Sequence, residues 1–413
     1  MRRRWKWISA LIIAAALGFG LWLRQRAAPR APGPIASASA PAPVPFTPRW
    51  PASISNAAVD APKKGDHADG IEICGVGKVK LDRDDWTATA DYLDGLERNP
   101  RMRWLSALRN SDDYRARAAG LYLEGIFDRD SPQKDPEAAR DELVQLAVAT
   151  KDPAIFAFAY TKCRAGSEAT AAPSACPQLS LDQWTRDDPD NAVPWLQVAA
   201  TARREKDSVA EAAAFDRVAQ AHSYEAYNWS LFAFAERAMP ADLSAADRWY
   251  LAIQTIGIEA AMPMPFNPVS QYCSRDALTD AAVYQRCNAL AELMVNKGRT
   301  LLELAMGKSL GARVGWPAER VDKLTQELHA SMQVLQQMNA TDPRQQWSCD
   351  SVARGNAFMS QWDELGERGL ARQAIERSGE TVADLSQRYD EQMAATVRKI
   401  QESAQGQAQA SQP

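Results

Sequence analysis

The sequence predicts a mostly α-helical protein, built of antiparallel helix pairs behind a short strand or hairpin and a single N-terminal transmembrane helix. Three observations predict it. Residues 8–23 carry no charge and lie between Arg2, Arg3, Arg4 and Lys6 on one side and Arg24 and Arg26 on the other. A stretch rich in proline and alanine follows. From Asp84 onward apolar residues recur at helical spacing, interrupted by Asp-Pro turns.

With Trp7 included, the apolar run reaches the roughly 17 residues that a helix needs to span a hydrocarbon core. More positive charge lies before it than after it, which leaves the N-terminus in the cytoplasm. Residues 1–6 are thus expected as a cytoplasmic stub and 7–23 as the membrane helix of a single-pass inner-membrane protein whose bulk is periplasmic. A cleavable signal peptide is the competing reading, since Ala27-Ala28 lies just beyond the run. Leu23-Arg24-Gln25-Arg26 makes a poor approach to a cleavage site, and the run is long for a signal core. Residues 24–69, with Ala31-Pro32-Gly33-Pro34 and Ala40-Pro41-Ala42-Pro43-Val44-Pro45, read as an extended, solvated linker.

The expected folded part, 70–400, holds about 330 residues, enough for a real core. The net charge of −4 comes from 52 acidic and 48 basic residues mixed along the chain. That distribution excludes a nucleic-acid footprint. All six cysteines, Cys74, Cys163, Cys176, Cys273, Cys287 and Cys349, follow the apolar run, and an even number there fits disulfides in an oxidising compartment. Cys163 and Cys176 enclose a short loop of small residues and are expected to pair. Cys273 and Cys287 are harder to join. A helix starting at Asp276 holds them on the order of 15 Å apart, beyond the ~7 Å Cα limit. They pair only if that helix begins nearer Asp280 and the preceding loop folds back. Cys74 and Cys349 remain as a third candidate pair; the competing reading is free buried thiols.

In chain order, 70–81 alternates Ile71, Ile73, Val79 and Leu81 on one face, a short strand or hairpin. Gly75 and Gly77 lack the third glycine of a dinucleotide loop. Trp86, Ala90, Leu93 and Leu96 form one helical stripe, and Trp104, Leu105 and Leu108 begin another. Asp135-Pro136-Glu137 and Asp152-Pro153 are helix starts. Tyr224, Tyr227, Trp229, Phe232, Phe234, Trp249 and Tyr250 crowd the middle of the chain, and packing between helices is their expected use. The prolines of 262–268 break the pattern. Asp280 to Met306 reads as one long helix through Val283, Leu290 and Leu304, with Gly298 a tolerated weak point or a close helix contact. Further helices run through Val321, Leu328 and Met338, and through Leu385, Tyr389, Val397 and Ile400. Residues 401–413 are expected as a disordered tail.

The segment Asp188-Pro189-Asp190-Asn191-Ala192-Val193-Pro194-Trp195, continued by Val198, Ala199, Ala202, Ala212, Phe215 and Val218, resembles one tetratricopeptide repeat. Trp195 and Phe215 match its large positions; Glu211 falls where alanine is expected. Residues 118–125 followed by Pro136-Glu137-Ala138-Ala139 similarly resemble a degenerate Sel1-type repeat. The layout as a whole is similar to that of proteobacterial membrane-anchored envelope proteins. The resemblance implies an irregular α-solenoid that presents a surface to another envelope protein, and it brings no catalytic residue with it.

Chemistry has few handles here. The three histidines, His67, His222 and His329, are too few and too scattered for a multi-histidine metal site. No catalytic, cofactor or metal motif is legible, so an enzyme is not expected, and the sequence sets no oligomeric state. The alternative to a protein-binding module is an α/α toroid that binds or cleaves an envelope polysaccharide, with the aromatics as stacking platforms and two of the 52 carboxylates as the acid-base pair. Exposed rings in a cleft favour the toroid; buried rings count against it.

Overall fold

Helix-forming spacing and capping residues dictate most of the architecture. The computed structural model describes residues 71–75, 77–79, 86–127, 136–165, 174–227, 229–263, 266–339 and 348–410. The expected membrane helix, the linker, His67 and the last three residues lie outside the described residues. So do the side chains of Trp86, Ala90, Leu93, Leu96 and Met338. Among the described residues no helix is long and apolar enough to cross a membrane.

Strands β1 (Ile71–Ile73) and β2 (Gly77–Val79) pair antiparallel with Ile71 opposite Val79. Gly75 and Gly77 in their turn have φ of +81° and +96°, the left-handed region that glycine enters without penalty. Helix α1 (Trp86–Arg109) is a single element running through Pro100, where the two stripes suggest two helices. Proline removes one backbone bond, but the buried Trp104, Leu105 and Leu108 hold the second half in the core. α2 (Tyr114–Leu123) is capped by Asp113. Its Gly120 lies so close to α1 that an added Cβ would come 2.7 Å from that of Leu108. α3 (Pro136–Thr150) and α4 (Pro153–Ala165) start at the two Asp-Pro signals. Asp152 accepts from Ala154 N at 3.0 Å and from Arg115 Nε at 2.7 Å.

The next elements are α5 (Leu181–Asp187), α6 (Ala192–Glu205), α7 (Ser208–Gln220), α8 (Ser230–Glu236), α9 (Ala245–Ala260) and α10 (Phe266–Tyr272). They are followed by α11 (Ala281–Lys297), α12 (Leu301–Arg313), α13 (Ala318–Asn339), α14 (Cys349–Met359), α15 (Trp362–Ser378) and α16 (Val382–Ala410). Consecutive helices pair at α3/α4, α6/α7 and α11/α12, and α11 packs on α7. The C-terminal part returns along the molecule: α14 lies on α9, and α16 on α13. One core joins α1–α4, α8 and α9 to Met359, Trp362 and Leu370. A second joins α5–α7 to α10–α12.

One boundary moves. α16 continues to Ala410, through the segment that composition assigns to a disordered tail beyond residue 400. The tail contains no proline before its last residue, and its alanine and glutamine are good helix formers, so propagation from the packed half carries on.

Three disulfides close the fold. Cys163 joins Cys176 and Cys74 joins Cys349, with Cα separations of 5.7 and 4.6 Å. Cys273 joins Cys287 at 5.8 Å because α11 begins at Ala281, capped by Asp280. Residues from Asp276 form a separate 3₁₀ turn, Ala277–Thr279, which folds the loop back.

Candidate functional site

The aromatic block is core rather than surface. Tyr224, Phe232, Phe234 and Tyr250 are all buried. Phe234 meets Phe158 edge-on at 5.7 Å, and Trp229 lies 5.3 Å from Trp362. Trp249 fills the space over Gly355, where an added Cβ would come 2.5 Å from the indole. Phe215 is fully buried and stacks on Tyr272 with centroids 3.6 Å apart. Glu211, at the position where alanine is expected, is buried against Arg203, whose Nε donates to it at 2.6 Å.

Around this core, one junction concentrates polar groups. The α5–α6 turn runs from Asp188 to Asn191, which caps α6. Asn191 is fully buried and uses its whole side-chain amide. Its Oδ1 accepts from Val193 N at 3.1 Å and Glu225 N at 3.0 Å; its Nδ2 donates to Asp188 Oδ2 at 2.7 Å and to Glu225 O at 2.8 Å. The segment after α7 is thereby tied to the turn, and His222 N and Ser223 N both donate to Asp190 O. Tyr227 donates its hydroxyl to Asp188 Oδ2 at 3.0 Å from a backbone with φ of +58°. A non-glycine residue holds that conformation only where its surroundings fix it.

The α11–α12 turn closes the junction from the other side. Gly298 ends α11, so the single helix expected from Asp280 to Met306 is two, and a Cβ at Gly298 would sit 2.4 Å from Met294 O. Thr300 and Glu303 form a capping box. Glu303 Oε2 accepts from Arg299 N at 2.6 Å and Thr300 N at 3.0 Å, and Glu367 Oε2 accepts from Leu301 N at 2.8 Å. Arg299 reaches Glu225 Oε2 at 3.4 Å and the Asp363 carbonyl.

This geometry shifts several groups. Burial pushes Glu303 up to about 8; the Thr300 backbone bond opposes it and the Glu225 charge adds to it. Burial also raises Glu225, against the pull of Arg299, and raises Asp188 and Glu367. The Tyr224 phenol is held well above its ordinary range by burial and the neighbouring Glu303. Burial favours the neutral form of each of these carboxyls, which lowers the cost of placing them close together. Their bonds go to helix N-termini and turns, so the network sets the angle between helices.

The turn's outer face borders a depression of ≈ 580 Å³ lined by Pro189, Asp190, Trp195, Arg217, Gln220 and His222. Trp195 is half-buried, with its indole N–H donating to Pro189 O at 3.1 Å. The Arg217 guanidinium stands 5.6 Å from the centroid of that ring. His329 lies elsewhere, on α13, with Nδ1 2.9 Å from Asp390 Oδ1 of α16. Burial lowers its pKa. Among the described residues no group of three or more His, Cys, Asp or Glu side chains is arranged to hold a metal ion.

Sequence reasoning located the six cysteines, Trp195 and Phe215 but missed Asn191, Glu225, Glu303 and Glu367. Only Thr300-Leu301-Leu302-Glu303 carries a local signature, the capping box. No protein-family model, curated protein or solved structure matches this chain.

Proposed function

We propose that the chain is a membrane-anchored periplasmic scaffold, an irregular helical solenoid of the tetratricopeptide or Sel1 kind that binds another envelope protein. The observation that carries this reading is the fate of the aromatic block. Its rings are spent on packing helices against one another, many of them distant in sequence, with Tyr224 and Phe232 at 2% and 3% exposure. A toroid acting on a polysaccharide would keep such rings open in a cleft. Three disulfides accord with an oxidising compartment, and residues 8–23 supply the anchor to the bilayer.

The test is crosslinking of the full chain in intact cells, followed by its purification and mass spectrometry of attached species. One protein recovered at near-equal amounts is the expected result. Recovery of the chain alone, or with glycan fragments only, overturns the scaffold reading.

A further inference from the structure

The depression beside Trp195 uses its polar groups unevenly. The indole N–H is spent on Pro189 O. The backbone N–H of His222 is spent on Asp190 O at 2.9 Å. The side chains of Asp190, Arg217, Gln220 and His222, by contrast, are all exposed. Among the described residues no carboxylate pairs with Arg217, although its guanidinium is held over the Trp195 ring. A cation placed by a ring and left without an anion has its geometry set before a ligand arrives.

The floor is equally set. The turn from Asp188 to Asn191 is pinned from behind by the four bonds of the Asn191 amide and by the Tyr227 hydroxyl. Binding here therefore orders little backbone.

The charges select the ligand. Arg217 offers a planar fork for one carboxylate, with the His222 imidazole beside it as a further donor. Asp190 and the last turn of α7, whose carbonyl end is electronegative, repel dense negative charge and accept from N–H donors. Arg217 also takes the indole face on which a sugar ring would stack. A single carboxylate accompanied by amide N–H groups is the chemistry of a peptide rather than of a polyanionic glycan.

We propose that this depression is a recognition site for an acidic peptide segment of the partner protein, with Arg217 receiving a Glu or Asp side chain and Asp190 receiving a peptide N–H. This rests on the scaffold reading and adds the site and the chemistry of its partner.

The test uses the purified full chain and a fluorescein-labelled decapeptide of alternating glutamate and leucine, read by anisotropy. The expected result is saturable binding that weakens about tenfold or more in Arg217→Gln. Binding should stay within about twofold in Arg204→Gln, an exposed arginine on α6 that bonds Thr201. Equal binding by Arg217→Gln, absence of saturable binding, or preference for an acidic oligosaccharide over the peptide each overturns the site. The same two variants in the crosslinking experiment separate the two readings. A partner recovered equally from Arg217→Gln and the unaltered chain removes this site and leaves the scaffold standing. A partner recovered from neither removes the scaffold and this occupant with it.

Discussion

The starts of α8 and α12 both bury backbone N–H groups that glutamate carboxyls receive, but from different distances along the chain. At α12, Glu303 of the helix's own first turn receives Arg299 N and Thr300 N, beside Glu367 of α15, which receives Leu301 N. At α8 the acceptor is Glu259, near the end of the following helix, which accepts from Phe232 N at 2.7 Å. Glu303 is 2% exposed and Glu259 fully buried. The local cap comes with alternatives: Thr300 Oγ1 still accepts from Glu303 N at 3.0 Å, and Arg299 is only part-buried. The distant cap has none, since Glu259 Oε2 finds no hydrogen-bond partner and its surroundings are apolar core. A cap made within one turn is cheap to form and mild to lose; a cap brought from another helix holds two elements together.

That difference predicts unequal losses. Glu259→Ala should lower stability by about 3 kcal/mol, because it opens a void in the core and strands the N–H of Phe232. Glu303→Ala should cost about 1–2 kcal/mol, the ordinary value of a helix cap. Urea unfolding of the two variants checks the order, and a larger loss at Glu303 breaks the comparison.

Two buried groups, Glu303 at the α12 corner and His329 on α13, shift stability with pH in opposite senses. Glu303 titrates near 4.5 when unfolded and at about 8 when folded. Between those values the folded state holds the extra proton, so its stabilising contribution is full below about 4.5 and is lost as pH rises through 8. Melting temperature is expected to fall from pH 6 to pH 8.5, with a shallower slope in Glu303→Gln. His329 acts in the opposite sense. Burial lowers its folded pKa below the ordinary 6.5, with Asp390 opposing and Lys308 assisting, so it destabilises the fold as pH falls through 6.5. His329→Gln should flatten the acid side of the profile and leave the alkaline side unchanged.

At the α11–α12 turn, Gly298→Ala tests whether the local corner depends on its tight backbone. The added methyl meets Met294 O and Glu303 Cβ at 2.4 and 2.8 Å, and an expected loss of about 1–3 kcal/mol follows from overpacking. Thermal melts of Gly298→Ala and Glu303→Ala together should show less than additive loss, since both act on one turn.

What was legible in the sequence follows the same division between near and far. Helix starts at Asp-Pro, the short bridge between Cys163 and Cys176 and the helical class itself are local properties, and local rules find them. The Cys273–Cys287 pair turned on whether α11 starts at Asp276 or Asp280. Both are acceptable caps, and the outcome was set by the 3₁₀ turn between them. α1 runs on through Pro100 because distant partners bury Trp104, whose indole donates to Ala235 O at 3.0 Å. The α5–α6 junction was illegible for a like reason. Asn191 caps α6 in the structure and also grips Glu225 34 residues later, a pairing that has no trace in spacing.

The smallest expected effect is the sharpest test of the distant cap. Burial holds the Glu259 carboxyl well above its ordinary range, with the Phe232 and Leu231 backbone bonds opposing and the charge of Asp363 adding. Burial thus favours the neutral form of the carboxyl, and Glu259→Gln places an uncharged group of the same shape in the core. The amide keeps an oxygen for Phe232 N and replaces a hydroxyl by a group of similar size, so stability should change by less than about 1 kcal/mol. Its urea midpoint at pH 7 should lie close to that of the unaltered chain and far from that of Glu259→Ala. If Gln costs as much as Ala, the carboxyl is ionised in the fold, and α8 is held by charge rather than by a neutral hydrogen bond.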